Sequence, residues 1–285
     1  MTPQAFALAF VLALAAAAPR YDADAVAALD AMEKAAAGTH DYTMTLVKRE
    51  LFGTELSREE TIVVKWQRPQ KIYLHETAGP REGREILYAR GWNKERIRVH
   101  KGSFPDLKLN LDPHGNLAMA HAHHPVPEVS LPRLVELVLD NVRRAQARNV
   151  GSLTYGGREN VFDRPVLRFE ATAPSTGRTP TLDKGQTLWD IARATGQSMY
   201  VVLHANRARG WWQADSPKRG DAVIVPEFYA GRLVLWVDEE LRLPLQIDLY
   251  DHEGNLYEHY EHRDLKVNVG LTDADFDPKN RAYRF

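Results

Sequence analysis

The sequence predicts an α+β protein, and three observations carry that reading. Apolar and polar residues alternate with a period of two along much of the chain, as in strands that bury one face. Two longer stretches repeat their apolar residues at helical spacing. Near the middle, a run of turn and helix signals interrupts the strand pattern. The first helix is expected over 22–37, with Val26, Leu29 and Met32 on one side and Gly38 as its stop. Tyr42, Met44 and Leu46 then alternate with Thr43, Thr45 and Val47, opening a strand. Further strands are expected over 61–66, 71–76, 85–90 and 97–101, with Pro69, Gly79-Pro80 and Gly91 between them as turns, which makes an antiparallel meander.

The second helix is expected over 131–147, where Leu134, Leu137, Val138 and Val142 share a face and Arg143, Arg144 and Arg148 oppose the dipole at its end. Strands resume over 166–172, break at the linker composition of 173–180, and return at 233–237, at Leu245, Ile247 and Leu249, and over 256–267. The simplest organisation is a discontinuous host domain, 22–178 and 229–285, with a small guest domain over 179–228. A guest whose ends lie close together enters a host easily at an exposed hairpin tip.

Composition narrows the function classes. The chain has 285 residues with 44% hydrophobic content, ample for a packed core, and a formal net charge of −1. That charge argues against a general nucleic-acid binder, which needs a basic surface to displace counterions. Cysteine is absent, which excludes disulfides, thiolate metal sites, cysteine nucleophiles and a lipid-modified N-terminal cysteine. The apolar run from Ala5 to Ala18 ends in successive alanines. It is too short to cross a bilayer and suits a signal peptide over 1–18, so the chain is expected to be exported to the periplasm or secreted, with no transmembrane segment once mature.

The guest carries the sharpest motif. It reads Gly185-Gln186-Thr187-Leu188-Trp189-Asp190-Ile191-Ala192, then Gly196, Leu203 and Asn206, then Gly220-Asp221-Ala222-Val223-Ile224-Val225-Pro226. This order resembles the LysM module, a βααβ unit that binds N-acetylglucosamine-containing glycans. The resemblance implies a shallow groove for peptidoglycan or a related polymer, lined on one side by Gly185, Gln186, Thr187 and Leu188. Asn206 and Arg207 form the other side, and Ile224, Val225 and Pro226 close it. Gln186 replaces the common Asp, and Pro180 replaces the usual aromatic at the start of the first strand. A module that keeps the fold without the glycan affinity is the alternative. Trp211-Trp212 either extends a sugar-stacking surface or docks the guest on its host, and docking is favoured because a free indole pair is costly. Trp189 is expected in the guest's core.

The tail of the host runs Asp238-Glu239-Glu240-Leu241-Arg242-Leu243-Pro244-Leu245, then Tyr250-Asp251, Glu253-Gly254 and Tyr260, then 264–278 from Asp264-Leu265-Lys266 to Asp277-Pro278. It resembles the closing hairpin of the LolA/LolB lipoprotein-carrier superfamily, and more closely a bacterial family of exported proteins of unknown function. Tyr42-Thr43, Gly83-Arg84-Glu85, Leu111-Asp112-Pro113 and His124-Pro125 agree with it. The resemblance implies a curved antiparallel β half-barrel wrapped on helices around an apolar cavity that shelters acyl chains. Either aromatic side chains fill that cavity or a lipid, lipoprotein or other hydrophobic ligand does.

Other constellations carry less. His114, His121, His123 and His124 fall in a loop, where surface or structural roles are expected over a metal site. Asp273, Asp275 and Asp277 lack the glycine and distant glutamate of a calcium loop and read as turn caps. Arg81, Glu82, Arg84 and Glu85 read as a solvated or paired strand edge. No nucleophile-elbow, zinc-protease, P-loop or dinucleotide pattern occurs. The expected protein is a non-enzymatic envelope binder with no cofactor and no metal, whose guest holds peptidoglycan. The alternative is a lipid or lipoprotein carrier whose guest is structural.

Overall fold

The computed structural model describes residues 20–285, and the expected leader over 1–18 lies outside the described residues. After β1 (Arg20–Tyr21), α1 (Ala23–Ala37) buries Ala25, Leu29, Met32 and Ala36 on one stripe and ends at Gly38. The meander follows as β2 (Asp41–Phe52), β3 (Glu55–Leu56), β4 (Glu60–Gln67), β5 (Lys71–Ala78), β6 (Glu85–Ala89), β7 (Ile97–His100) and β8 (Lys108–Leu111). A single turn, α2 (Asn116–Met119), precedes α3 (Leu131–Ala147), whose cap is Ser130, accepting from the Arg133 amide at 3.2 Å. Then come β9 (Ser152–Val161) and β10 (Arg164–Thr172). The central run contains β11 (Gly177–Arg178), α4 (Leu188–Thr195), α5 (Met199–Ala205) and β12 (Val225–Pro226). The chain closes with β13 (Arg232–Asp238), β14 (Pro244–Tyr250) and β15 (Leu256–Val267).

The main sheet has 13 strands in the order β1-β9-β10-β13-β14-β15-β2-β4-β5-β6-β7-β8, with β3 paired to β2. Its pairs are antiparallel except β1 with β9. The end strands β1 and β8 do not pair with each other, so the sheet is open and closes no barrel. The architecture is α+β. One face of the sheet packs with α1 and α3 into a core that runs from Leu153 on β9 through Ile247 and Tyr42 to Val99 on β7. The other face is covered locally by the C-terminal tail, where Tyr283 stacks on Tyr73 at 3.9 Å and Phe276 meets Leu87. That tail begins at a turn in which Thr272 and Asp275 cap each other, while Asp277 accepts from the Lys279 amide. The aspartates at 275 and 277 thus cap turns, and Asp273 pairs with Lys71.

β10 and β13 are neighbours in the sheet, and 173–231 leaves and re-enters between them. Within that span β11 pairs with β12, and Leu182, Leu188, Ile191, Val202 and Val223 gather in a separate apolar cluster. α4 stops at Gly196, whose φ of +67 is the left-handed conformation that glycine adopts without strain. Trp189 is half-buried at the edge of this cluster and faces outward onto His114, ring centroids 4.9 Å apart, so it is not the interior residue expected. Trp211 packs on the same cluster, whereas Trp212 is 74% exposed, with its ring edge beside Gly53 of the host.

Truncating a side chain at the centre of the main core leaves a void that the sheet and helices cannot refill. Leu139→Ala on α3, buried in the cluster shared with the sheet, is expected to lower unfolding free energy by about 2–5 kcal/mol. A urea titration checks this.

Candidate functional site

The site follows from parity along one strand. On β2 the residues facing the core are Tyr42, Met44, Leu46, Lys48 and Glu50, so the inward face passes from apolar to charged within a single strand. Register extends that division to its neighbours. Leu46 lies opposite Ile62 and His262, Lys48 opposite Glu60 and Tyr260, and Glu50 opposite Glu258. β5 adds Leu74 on the apolar side and Glu76 on the charged side, and the turn after it folds Arg81 and Arg84 back onto Glu60 and Glu76. Between this face and α3 lies a cavity of about 390 Å³. Its apolar wall includes Met44, Leu46, Ile62, Ile86, Val99 and Leu134, and its charged end includes Lys48, Glu50, Glu76 and Arg84.

Glu258 is fully buried, and its Oε1 accepts from the Tyr229 hydroxyl at 2.6 Å. The same oxygen lies 2.7 Å from His123 Nδ1 and 3.6 Å from His124 Nε2. The other nitrogen of His123 lies 2.9 Å from the Leu51 carbonyl, so both ring nitrogens face oxygen atoms. Burial pushes the Glu258 carboxyl up, but His124 and His123 outweigh it and hold it well below the carboxylate range. Burial pushes His124 down, and Glu258 reverses this, leaving the imidazole above its ordinary value. Glu50 receives Lys48 Nζ at 2.7 Å and the Tyr260 hydroxyl at 2.7 Å. Its burial is overcome first by Lys48 and then by His123, which keep it ionised. Buried oxygens of Glu60, Glu76 and Glu258 have no hydrogen-bond partner. A fixed cluster of this kind offers ion pairing and spare acceptors to a polar group, beside a wall that offers only apolar surface.

Several of these residues escape sequence reading. The alternation on β2 continues past Leu46 into Lys48 and Glu50, and that change of polarity at constant parity is the available signal. Glu60, Glu76 and Glu258 share no sequence motif, and only register unites them. Arg81 and Arg84 take the paired form of the expected strand edge, as half-buried partners of Glu60 and Glu76. Among the histidines, His123 is a buried structural residue and His121 is exposed. Among the described residues, no group of histidine and acidic side chains is placed to hold a metal ion, and no helix is long and apolar enough to cross a membrane.

The residues expected to read a glycan are placed as follows. Gly185 and Gln186 are exposed, and Gln186 Oε1 accepts from the Asp183 amide at 2.9 Å within its own loop. Thr187 exchanges capping bonds with Asp190, and Leu188 is fully buried. Asn206 is also buried, donating to the Val202 and Ile224 carbonyls at 2.8 and 2.7 Å and accepting from the Ile224 amide at 3.0 Å. Asn206 and Ile224 are therefore brought together, as a brace from α5 to the segment before β12. Arg207 pairs with Glu253 of the host. Ile224 is 43% exposed, Val225 is buried, and the Pro226 carbonyl accepts from Gln197 at 3.0 Å.

α5 turns a second face to the host. The Tyr200 hydroxyl donates to the Met119 carbonyl and its ring stacks on His123, centroids 4.8 Å apart. His204 lies 3.0 Å from Asp251, and Val201 joins the main core. Trp189, Arg193 and Met199 line the cavity, so its rim is shared by both parts of the chain.

His262 sits at the apolar–charged boundary, donating from Nδ1 to the Pro244 carbonyl at 2.7 Å. Burial pushes it from its ordinary 6.5 down to about 4. The unfolded chain therefore binds the extra proton between those values, and stability falls as pH drops from about 6.5 to 4. His262→Gln, which keeps a donor for the carbonyl, is expected to remove about 3 kcal/mol of that pH-dependent loss. Denaturant midpoints measured across this range for both proteins check it.

No curated protein matches the chain. Among solved structures it is similar to MucB at 14% identity and a TM-score of 0.44, covering 90% of this chain and 63% of that one. The chain thus spans less than two thirds of MucB. It is similar to lipoprotein LppX of Mycobacterium tuberculosis at 11% identity and a TM-score of 0.43, covering 90% and 100% of the two chains. A LolA superfamily protein from Nitrosomonas europaea is similar at 10% identity and a TM-score of 0.34, with 89% and 97% covered. A sequence family described as a protein of unknown function, DUF1571, matches residues 39–199 and 224–285, and the chain belongs to that family.

Proposed function

We propose that this chain is an exported, non-enzymatic envelope protein that shelters an amphipathic ligand, the acyl part of a lipid or lipoprotein, in its cavity. The division of the inward face of β2 carries the reading. An acyl chain against Met44, Leu46 and Ile86 leaves water at about 0.8 kcal/mol per methylene. Its polar end then meets Lys48, Glu50, Glu76 and Arg84, which line the charged end. Export rests on the apolar run from Ala5 to Ala18.

In this reading 179–228 is a LysM-like guest whose main work is structural: α5 braces the host, and α4 supplies part of the cavity rim. Peptidoglycan binding by the guest has less in its favour. Leu188, Asn206 and Val225 are buried, Gln186 is bonded to Asp183 within its own loop, and Thr187 is bonded to Asp190 in the cap of α4. The exposed Gly185, Gln186 and Ile224 are what remain for a glycan.

An environment-sensitive naphthylamine probe, titrated into the protein and then competed with fatty acids, tests the cavity. Uptake followed by displacement is expected. Leu134→Trp, which fills the cavity from α3, should weaken uptake about tenfold by removing the space. Failure of the probe to enrich in the wild-type protein contradicts the reading.

A further inference from the structure

The charged end of the cavity gathers four buried carboxylates, and each has a cationic partner in place. Glu50 receives Lys48 at 2.7 Å, Glu60 receives Arg81, and Glu76 receives Arg84. Glu258 faces His123 and His124 at 2.7 and 3.6 Å. The other histidines of the lining add no charge near neutral pH. His262 is held low by burial, as described, and burial together with Arg81 and Arg84 keeps the His121 imidazole below its ordinary value. Charged side chains at the rim are coupled too: Arg133 to Glu136 at 2.7 Å, Arg193 to Asp190 at 2.7 Å, and Glu128 to His114 at 3.7 Å. Among the described residues, every charged side chain lining the cavity thus has an ionisable partner within 4.0 Å.

Pairing leaves a particular hydrogen-bonding capacity. Arg84 spends Nε and Nη2 on Glu76 Oε1, and its Nη1 has no partner among the described residues. Glu76 Oε2, 3.5 Å from Arg81 Nε, has no hydrogen-bond partner either. One ion pair therefore keeps both a donor and an acceptor unused. Hydroxyl and ester groups complement both. An ammonium brings donors only and a carboxylate acceptors only. Either ion also leaves water for a buried end where it gains a counter-ion only by displacing one already in place. We infer that the polar end of the ligand carries no net charge and bears hydroxyl and ester groups, as an acylglycerol does, rather than a free carboxylate, phosphate or amine. This rests on the cavity reading above and specifies the head group within it. The volume of about 390 Å³ lies near the lower end of ligand sites, roughly 300–1,000 Å³, which suits a single acyl chain.

Competitors that share one acyl length and differ only in the head test it. Monolauroylglycerol, dodecanoate and dodecylammonium are each titrated against the bound naphthylamine probe at neutral pH, below micelle formation. Monolauroylglycerol is expected to displace the probe about tenfold more tightly than either ion. Glu76→Gln keeps an acceptor for Arg84 and removes its counter-charge, so dodecanoate should gain about tenfold relative to monolauroylglycerol while dodecylammonium gains nothing. If that variant does not fold, the wild-type series decides alone. Equal displacement by the three heads, or tighter displacement by either ion, overturns the inference and leaves the cavity reading standing, as does unchanged selectivity in a folded Glu76→Gln protein. Displacement by none of the three removes both.

Discussion

The parity of β2 is the constraint on which the rest depends. Five alternate residues, Tyr42, Met44, Leu46, Lys48 and Glu50, must share one face of the sheet. Antiparallel register then forces every neighbour to answer them. Glu50 stands directly opposite Glu258, and two like charges so placed repel each other. The repulsion is relieved from both sides: Lys48 and Tyr260 hold Glu50, while His123 and Tyr229 hold Glu258. A buried network of this size contributes little net stability, because desolvation offsets most of its attraction. Apolar side chains at the same positions would pack the interior more simply. Retaining charge at one end of an apolar cavity therefore fits a role in recognition better than a role in holding the fold.

The same network ties the central segment to the host. His123 bonds to Glu258 on one side and stacks against Tyr200 of α5 on the other. Tyr200 and His204 lie one turn apart on α5 and engage the host at Met119 and Asp251, and Arg207, just beyond the helix, pairs with Glu253. α5 thus has two buried faces, one for its own cluster and one for the sheet. Movement of this helix would disturb His123 directly, which couples the rim of the cavity to its charged end by contact.

Much of the fold was legible in sequence because its strands alternate cleanly. The meander from β2 to β7, both long helices and the closing strands follow from period and turn residues. β9 escaped: Gly156-Gly157 and a polar run hide it, and half of its residues are exposed, with Leu153 its one buried contribution to the core. β8 escaped for a similar reason, being a short edge strand with half-exposed or exposed residues. At the site, Met44 and Leu46 were legible as an inward face, but Glu60, Glu76 and Glu258 were not. Their meeting depends on register between strands distant in sequence, which periodicity within one strand cannot report. Asn206 shows the opposite case: the motif marked it, and its position as a buried brace shows why a motif residue need not touch a ligand.

In the proposed function the divided cavity holds an acyl-bearing ligand. Native mass spectrometry of the full chain, produced in a bacterial host and purified without detergent, tests this most directly. A population heavier than the protein, shifting to the bare mass on organic extraction and yielding a lipid in the extract, is the result the account predicts. A single species at the bare mass, unchanged after incubation with phospholipid or fatty acid, would contradict it.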